Sequence, residues 1–245
     1  MEALGALCHL LYVIVSAIVG ARLLVRGWRA QAMPERWLGF ALLGIGGVGY
    51  LAMLIPAAIG PEVETPLTIS LSIAGQLLVD AGMLSLLGFT LSVFRPESRV
   101  ARGVAAVLAA ITIAAVAGMF AAGDWWGKEV RSVAYWAEIL GAQGALAWAT
   151  GEAWLYLRQL GRRAVLGLAE PEIANRALLW TGFGVAQLGL MVAVTLATCL
   201  YAATGRIFVT LDIVMAGCGL ASSLCLWLAF WPPAFYRSWA VPLRR

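Results

Sequence analysis

Charge is scarce in this chain. Only 12% of its 245 residues are Asp, Glu, Lys or Arg, about half the share of a soluble domain. Of the seventeen basic residues just one, Lys128, is a lysine. The deficit excludes a soluble globular enzyme, a disordered chain and a nucleic-acid-binding module. Histidine occurs once, as His9, so neither a bis-histidine haem site nor a histidine-rich metal site can be built. The four cysteines, Cys8, Cys199, Cys218 and Cys225, stand singly in apolar stretches without a CxxC pair, and read as small packing residues. HExxH and GxSxG are absent, which leaves a membrane enzyme the least favoured class and assigns no catalytic residue. No basic stretch precedes the first apolar run, so no cleaved signal peptide is expected.

Apolar residues fill the space that charge leaves, at 62% of the chain and a mean hydropathy of +0.88. Runs of about 20 apolar residues are long enough to cross a bilayer as helices. Seven are read, near 3–25, 38–60, 67–94, 103–122, 134–157, 177–203 and 207–231, giving an all-α, seven-helix membrane bundle over 1–245 as one domain. Pro56 is expected to kink the second run. Gly39, Gly44, Gly46, Gly47 and Gly49 in that run, and Gly217 with Ala221 in the last, read as close-approach positions between helices. The longest hydrophilic connection, Arg158 to Arg176, reads as a turn or short helix on the membrane surface.

Arginine orients the bundle. With the N-terminus outside, fourteen basic residues fall on the cytoplasmic side: Arg22, Arg26, Arg29, Arg36, Arg95, Arg99, Arg102, Arg158, Arg162, Arg163, Arg176, Arg237, Arg244 and Arg245. Only three, Lys128, Arg131 and Arg206, fall outside. Basic residues are retained in the cytoplasm, so the expected topology is N-out, C-in, in a bacterial cytoplasmic membrane. Tryptophans mark both boundaries: Trp28, Trp37, Trp154, Trp180 and Trp231 inside, Trp125, Trp126 and Trp136 outside. The Arg158–Arg176 connection and the C-terminal tail then face anionic lipid or a cytosolic or membrane protein partner.

Ionisable groups in hydrocarbon are costly and point to function. Four carboxylates, Asp80, Glu138, Glu152 and Asp212, fall inside the runs with no basic residue at matching depth. Ser72, Gln76 and Asp80 recur every fourth residue and form one polar stripe, read either as a pocket wall or as interhelical hydrogen bonding. Glu138 and Glu152 share a helix face about 21 Å apart along the axis, with Trp148 one turn from Glu152. Glu152 reads first as an interfacial acid leaning towards nearby arginines. His9, Glu138 and Asp212 enter their helices near the outer surface and are expected to cluster there. Candidate ligand or proton-relay residues are therefore Asp80, Gln76, Glu138, Asp212 and His9, with Glu152, Trp148 and Gln187 secondary.

With short loops and midplane acids, this pattern resembles the rhodopsin-type and receptor-type seven-helix bundles. In microbial rhodopsins the last helix carries an aspartate and, one turn on, the retinal lysine, while the third carries an acidic counterion. Asp212 and Asp80 match the two acids, but the lysine position is Ala216, so covalent retinal is excluded and no cofactor is expected. The exit Trp227-Leu-Ala-Phe-Trp-Pro-Pro-Ala-Phe-Tyr-Arg-Ser-Trp239 is similar to the end of the N-terminal seven-helix sensory modules of bacterial signalling proteins. That resemblance implies an output domain, expected here on another polypeptide if it exists. The leading expectation is a sensor or receptor with an outward-facing polar pocket for a small ligand or proton. A non-catalytic subunit or assembly factor of a membrane complex, or a proton- or cation-coupled transporter, remains open.

Overall fold

A computed structural model describes residues 2–59, 65–124, 131–168, 170–206 and 208–236. They form eight helices and no strand: α1 (Glu2–Arg29), α2 (Met33–Ile45), α3 (Val48–Ile59), α4 (Pro66–Phe94), α5 (Arg99–Ala122), α6 (Val133–Val165), α7 (Pro171–Thr204) and α8 (Val209–Phe230). Six segments are long and apolar enough to cross a membrane: α1, the stretch Met33–Pro56 over α2 and α3, α4, α5, α7 and α8. The chain is thus an all-helical membrane protein in contact with lipid. Leu7, Val107, Ile113 and Val185 face outward.

Helix starts follow local chemistry. Thr65 and Thr68 form a capping box at α4, and Ser98 and Ser132 accept the N–H of Ala101 and Tyr135 at the starts of α5 and α6. Pro66 and Pro171 occupy first-turn positions, where the missing N–H costs nothing. Helices consecutive in the chain pack side by side, α8 returns to α1 and closes the ring, and α4 reaches across to α6. Two ends result: an amino-terminal end, where α1 begins, and an arginine-rich end, where it finishes.

Three expectations change. The 38–60 run is two helices, interrupted at Gly46–Gly47, while Pro56 stays inside α3. The reason is crowding. A Cβ on Gly46 would stand 2.5 Å from Ser16 Oγ and 2.7 Å from the Tyr12 ring, and one on Gly44 would run into the Leu78 carbonyl of α4. The break follows from how closely α1 and α4 approach, whereas a proline near a helix end is absorbed. Second, the Arg158–Arg176 connection holds no separate helix. α6 runs on through Arg163 to Val165, and the turn is confined to 166–170, where Gly167 takes φ +70°. Third, Gly217 faces no neighbour; α7 and α8 instead approach through Gly182 and Gly189, against Cys225 and Cys218.

The core divides the bundle by depth. Towards the arginine-rich end Leu38, Leu42, Leu86, Phe89, Leu146, Phe183 and Leu226 pack into one cluster. Trp180 stacks on Phe183 and meets Phe89 edge-on. Arg22 lies 4.2 Å above the Trp231 ring, and the Tyr236 hydroxyl donates to Asn175 Oδ1 at 2.9 Å, folding the segment after Pro232–Pro233 back onto the start of α7. Trp125, Trp126, Lys128, Arg237, Trp239, Arg244 and Arg245 lie outside the described residues.

Candidate functional site

The amino-terminal half contains a cavity of about 240 Å³, the liquid volume of roughly eight waters. Each wall comes from a different helix: His9 and Tyr12 from α1, Ile45 from α2, Tyr50 and Met53 from α3, Ser72, Gln76, Val79 and Met83 from α4. Met119 of α5, Tyr135, Glu138, Ile139 and Ala142 of α6, Gln187, Leu190, Met191 and Val194 of α7, and Met215 of α8 complete it, with Asp124 and Arg131 from the α5–α6 connection. Ile45 and Tyr50 flank the α2–α3 interruption, so the break borders the cavity.

The polar stripe of α4 faces this space. Gln76 donates to Asp80 Oδ2 at 3.2 Å, and Ser72 bonds back to the Thr68 carbonyl at 2.9 Å. Asp80 lies buried behind Gln76, and the Glu138 carboxyl comes against it from α6. Ionised carboxylates only accept hydrogen bonds, so this contact is bonding only with a proton held between the two groups. Across the cavity the Tyr50 hydroxyl bonds His9 Nδ1 at 2.8 Å, and the Tyr12 and Tyr50 rings meet edge-on at 5.8 Å.

Four buried polar atoms have no hydrogen-bond partner among the described residues: Tyr12 Oη, Ser16 Oγ, Asp80 Oδ1 and Gln187 Nε2. Orphaned buried polar groups are rare in folded proteins, because each costs its lost hydration. Tyr12 and Gln187 line the cavity, while Ser16 and Asp80 stand next to lining residues. The Tyr12 hydroxyl lies towards Ser16 and Gln187 without bonding geometry to either.

Arg131 brings positive charge to the cavity but is already engaged. Its Nη1 donates to Asp124 Oδ1 at 3.3 Å, and its guanidinium sits 4.5 Å from the Tyr135 ring centre. Burial alone would raise the Asp124 carboxyl. The Ser132 N–H at 2.6 Å, the Ser132 hydroxyl and Arg131 outweigh it, and hold the group below the ordinary carboxylate range.

Of the expected residues, Asp80, Gln76, Glu138, His9 and Gln187 come together here. Asp212 does not. It is exposed in the first turn of α8, close enough to influence His9 electrostatically but outside the cavity wall. The expected cluster of His9, Glu138 and Asp212 is replaced by Glu138 with Asp80. Glu152 and Trp148 belong to the other end, where Arg95 Nε reaches both Glu152 oxygens at 3.0 Å and Trp148 Nε1 donates at 3.3 Å. A basic residue therefore does lie at matching depth for one of the four acids, brought there by the last turn of α4. The sequence did not single out Tyr12, Tyr50, Tyr135, Asp124 or Arg131. The methionines carried a usable signal, since five of the chain's seven line this cavity.

The described residues contain no group of three or more His, Cys, Asp or Glu side chains placed to hold a metal ion. Comparison with family models, curated proteins and solved structures finds no match to this chain.

Proposed function

We propose that the chain is a seven-helix membrane sensor, N-terminus outside, that binds a small molecule in the outer cavity and passes its occupancy to the arginine-rich cytoplasmic end. The seventh crossing in this reading is α6. Its low apolarity reflects two acids, and both are met from inside the bundle, Glu138 by Asp80 and Glu152 by Arg95. A helix whose charges are answered by its neighbours can cross lipid without exposing them. The orientation rests on the fourteen-to-three distribution of basic residues.

The cavity with its orphaned polar atoms is the observation that carries the proposal. A ligand that satisfies those atoms recovers the hydrogen bonds that folding left unmade. The packed inner half lies between the cavity and the cytoplasmic end, which favours a sensor over a conduit. Transmission runs through the α2–α3 break: a ligand pressing on Tyr50 and Met53 tilts α3 at Gly46–Gly47 and shifts α2, whose first turn carries Arg36.

Cysteine accessibility tests the reading. In a background with the four native cysteines replaced, Gln76→Cys is expected to react with a small membrane-impermeant thiol reagent added outside, and Leu86→Cys in the packed half is not. An unreactive position 76, or one that reacts only from the cytoplasmic face, overturns it.

A further inference from the structure

We infer that the cavity receives a small organic monocation, a protonated amine on an apolar body, with its ammonium group seated at Asp80 and Glu138. The inference rests on the ligand-binding reading above and adds the chemical class of the ligand.

Charge decides the sign. Asp124 and Arg131 neutralise one another at 3.3 Å, which leaves Glu138 on the wall and Asp80 behind it as the unanswered charge. Two carboxyl groups in contact with one proton between them carry a single negative charge, and one ammonium matches it. An anion would have to displace Asp124 from Arg131, which also lies on the Tyr135 ring.

Hydrogen-bond supply agrees. An ammonium is a pure donor, and Asp80 Oδ1 and Tyr12 Oη are buried oxygens without partners at this site. Gln187 Nε2 is likewise buried, unpartnered and on the wall, a donor for a hydroxyl or carbonyl elsewhere on the ligand. The remaining wall suits an apolar body. Methionine thioethers are flexible and polarizable, so they adapt to a ring or branched chain of no fixed shape, and a cation can rest on the tyrosine faces.

The test is calorimetric titration of nanodisc-embedded protein with propyl-, cyclohexyl- and phenethylammonium, each beside its neutral alcohol and its carboxylate isostere. The expected result is a preference of roughly tenfold or more for at least one ammonium over its alcohol, with no binding of the carboxylate. Glu138→Gln and Asp80→Asn should each abolish that preference, and Gln187→Leu should leave it intact. The comparison among isosteres uses the unaltered protein, so it decides the question even if a carboxylate variant fails to fold. Equal binding of ammonium and alcohol, preference for the carboxylate, or no binding at all to protein whose position 76 reacts from outside overturns the amine assignment and leaves the cavity reading standing. An unreactive position 76 takes down both.

Discussion

Glu138 and Glu152 sit on the same helix about four turns apart, and the bundle treats them in opposite ways. Glu152 is met by Arg95 and by the Trp148 indole, so its charge is balanced and its oxygens are bonded. Glu138 is met by another acid, beside a cavity where four buried polar atoms lack partners. The same split runs through the apolar residues. The Glu152 end packs Leu, Phe and Trp against one another, and the Glu138 end presents methionines to empty space. One half has completed its contacts within the chain. The other has left contacts for something else to make.

The comparison can be broken most directly by truncation. Leu226 is 0% exposed in the packed half, and Leu226→Ala should destabilise the protein by about 2–5 kcal/mol. Met191→Ala only enlarges an existing cavity and should cost clearly less. Thermal unfolding in one detergent checks the pair, and equal losses would show that the two halves do not differ in packing.

The acids sharpen it next. Glu138→Gln should remove ammonium selectivity, a loss of roughly tenfold or more, while Glu152→Gln leaves binding unchanged. Glu152→Gln should instead lower stability by about 0.5–1 kcal/mol, because the Arg95 side chain is 46% exposed and water screens the pair. Calorimetry and thermal unfolding on both variants separate the effects.

Asp124 supplies a pH test outside the membrane helices. Its folded-state pKa lies below the unfolded value, so its ion pair adds stability that is full above the unfolded pKa, near ~3.9, and fades as pH falls through the folded one. Asp124→Asn should therefore be less stable than the parent at neutral pH, with the gap closing at or below pH ~4. Unfolding curves across pH 3 to 7 check the convergence, and a gap constant with pH would refute the linkage. The smallest effect belongs to Tyr50→Phe, which removes the 2.8 Å bond to His9 and should cost about 1 kcal/mol. A larger loss would mean that the His9–Tyr50 pair also holds the α2–α3 break in place.

The sequence alone determined the helical membrane class, because a chain this apolar with so few charges cannot be stable in water. It also determined the face of α4 that carries Ser72, Gln76 and Asp80, since fourfold spacing on a helix dictates a shared face whatever packs against it. The partners of that face were decided by tertiary structure. Asp80 meets Glu138 across 58 positions of chain, and Glu152 meets Arg95 across |i−j| = 57, pairings that follow from α4 crossing α6 and have no counterpart in local spacing. Asp212 had the same apparent standing as Asp80 in the sequence, yet the rotation of α8 leaves it exposed. The interruption at Gly46–Gly47 was likewise invisible, because glycines in a membrane helix are compatible with an unbroken one. The approach of Tyr12 and Ser16 leaves no room for a side chain at Gly46, and only helix packing brings them there.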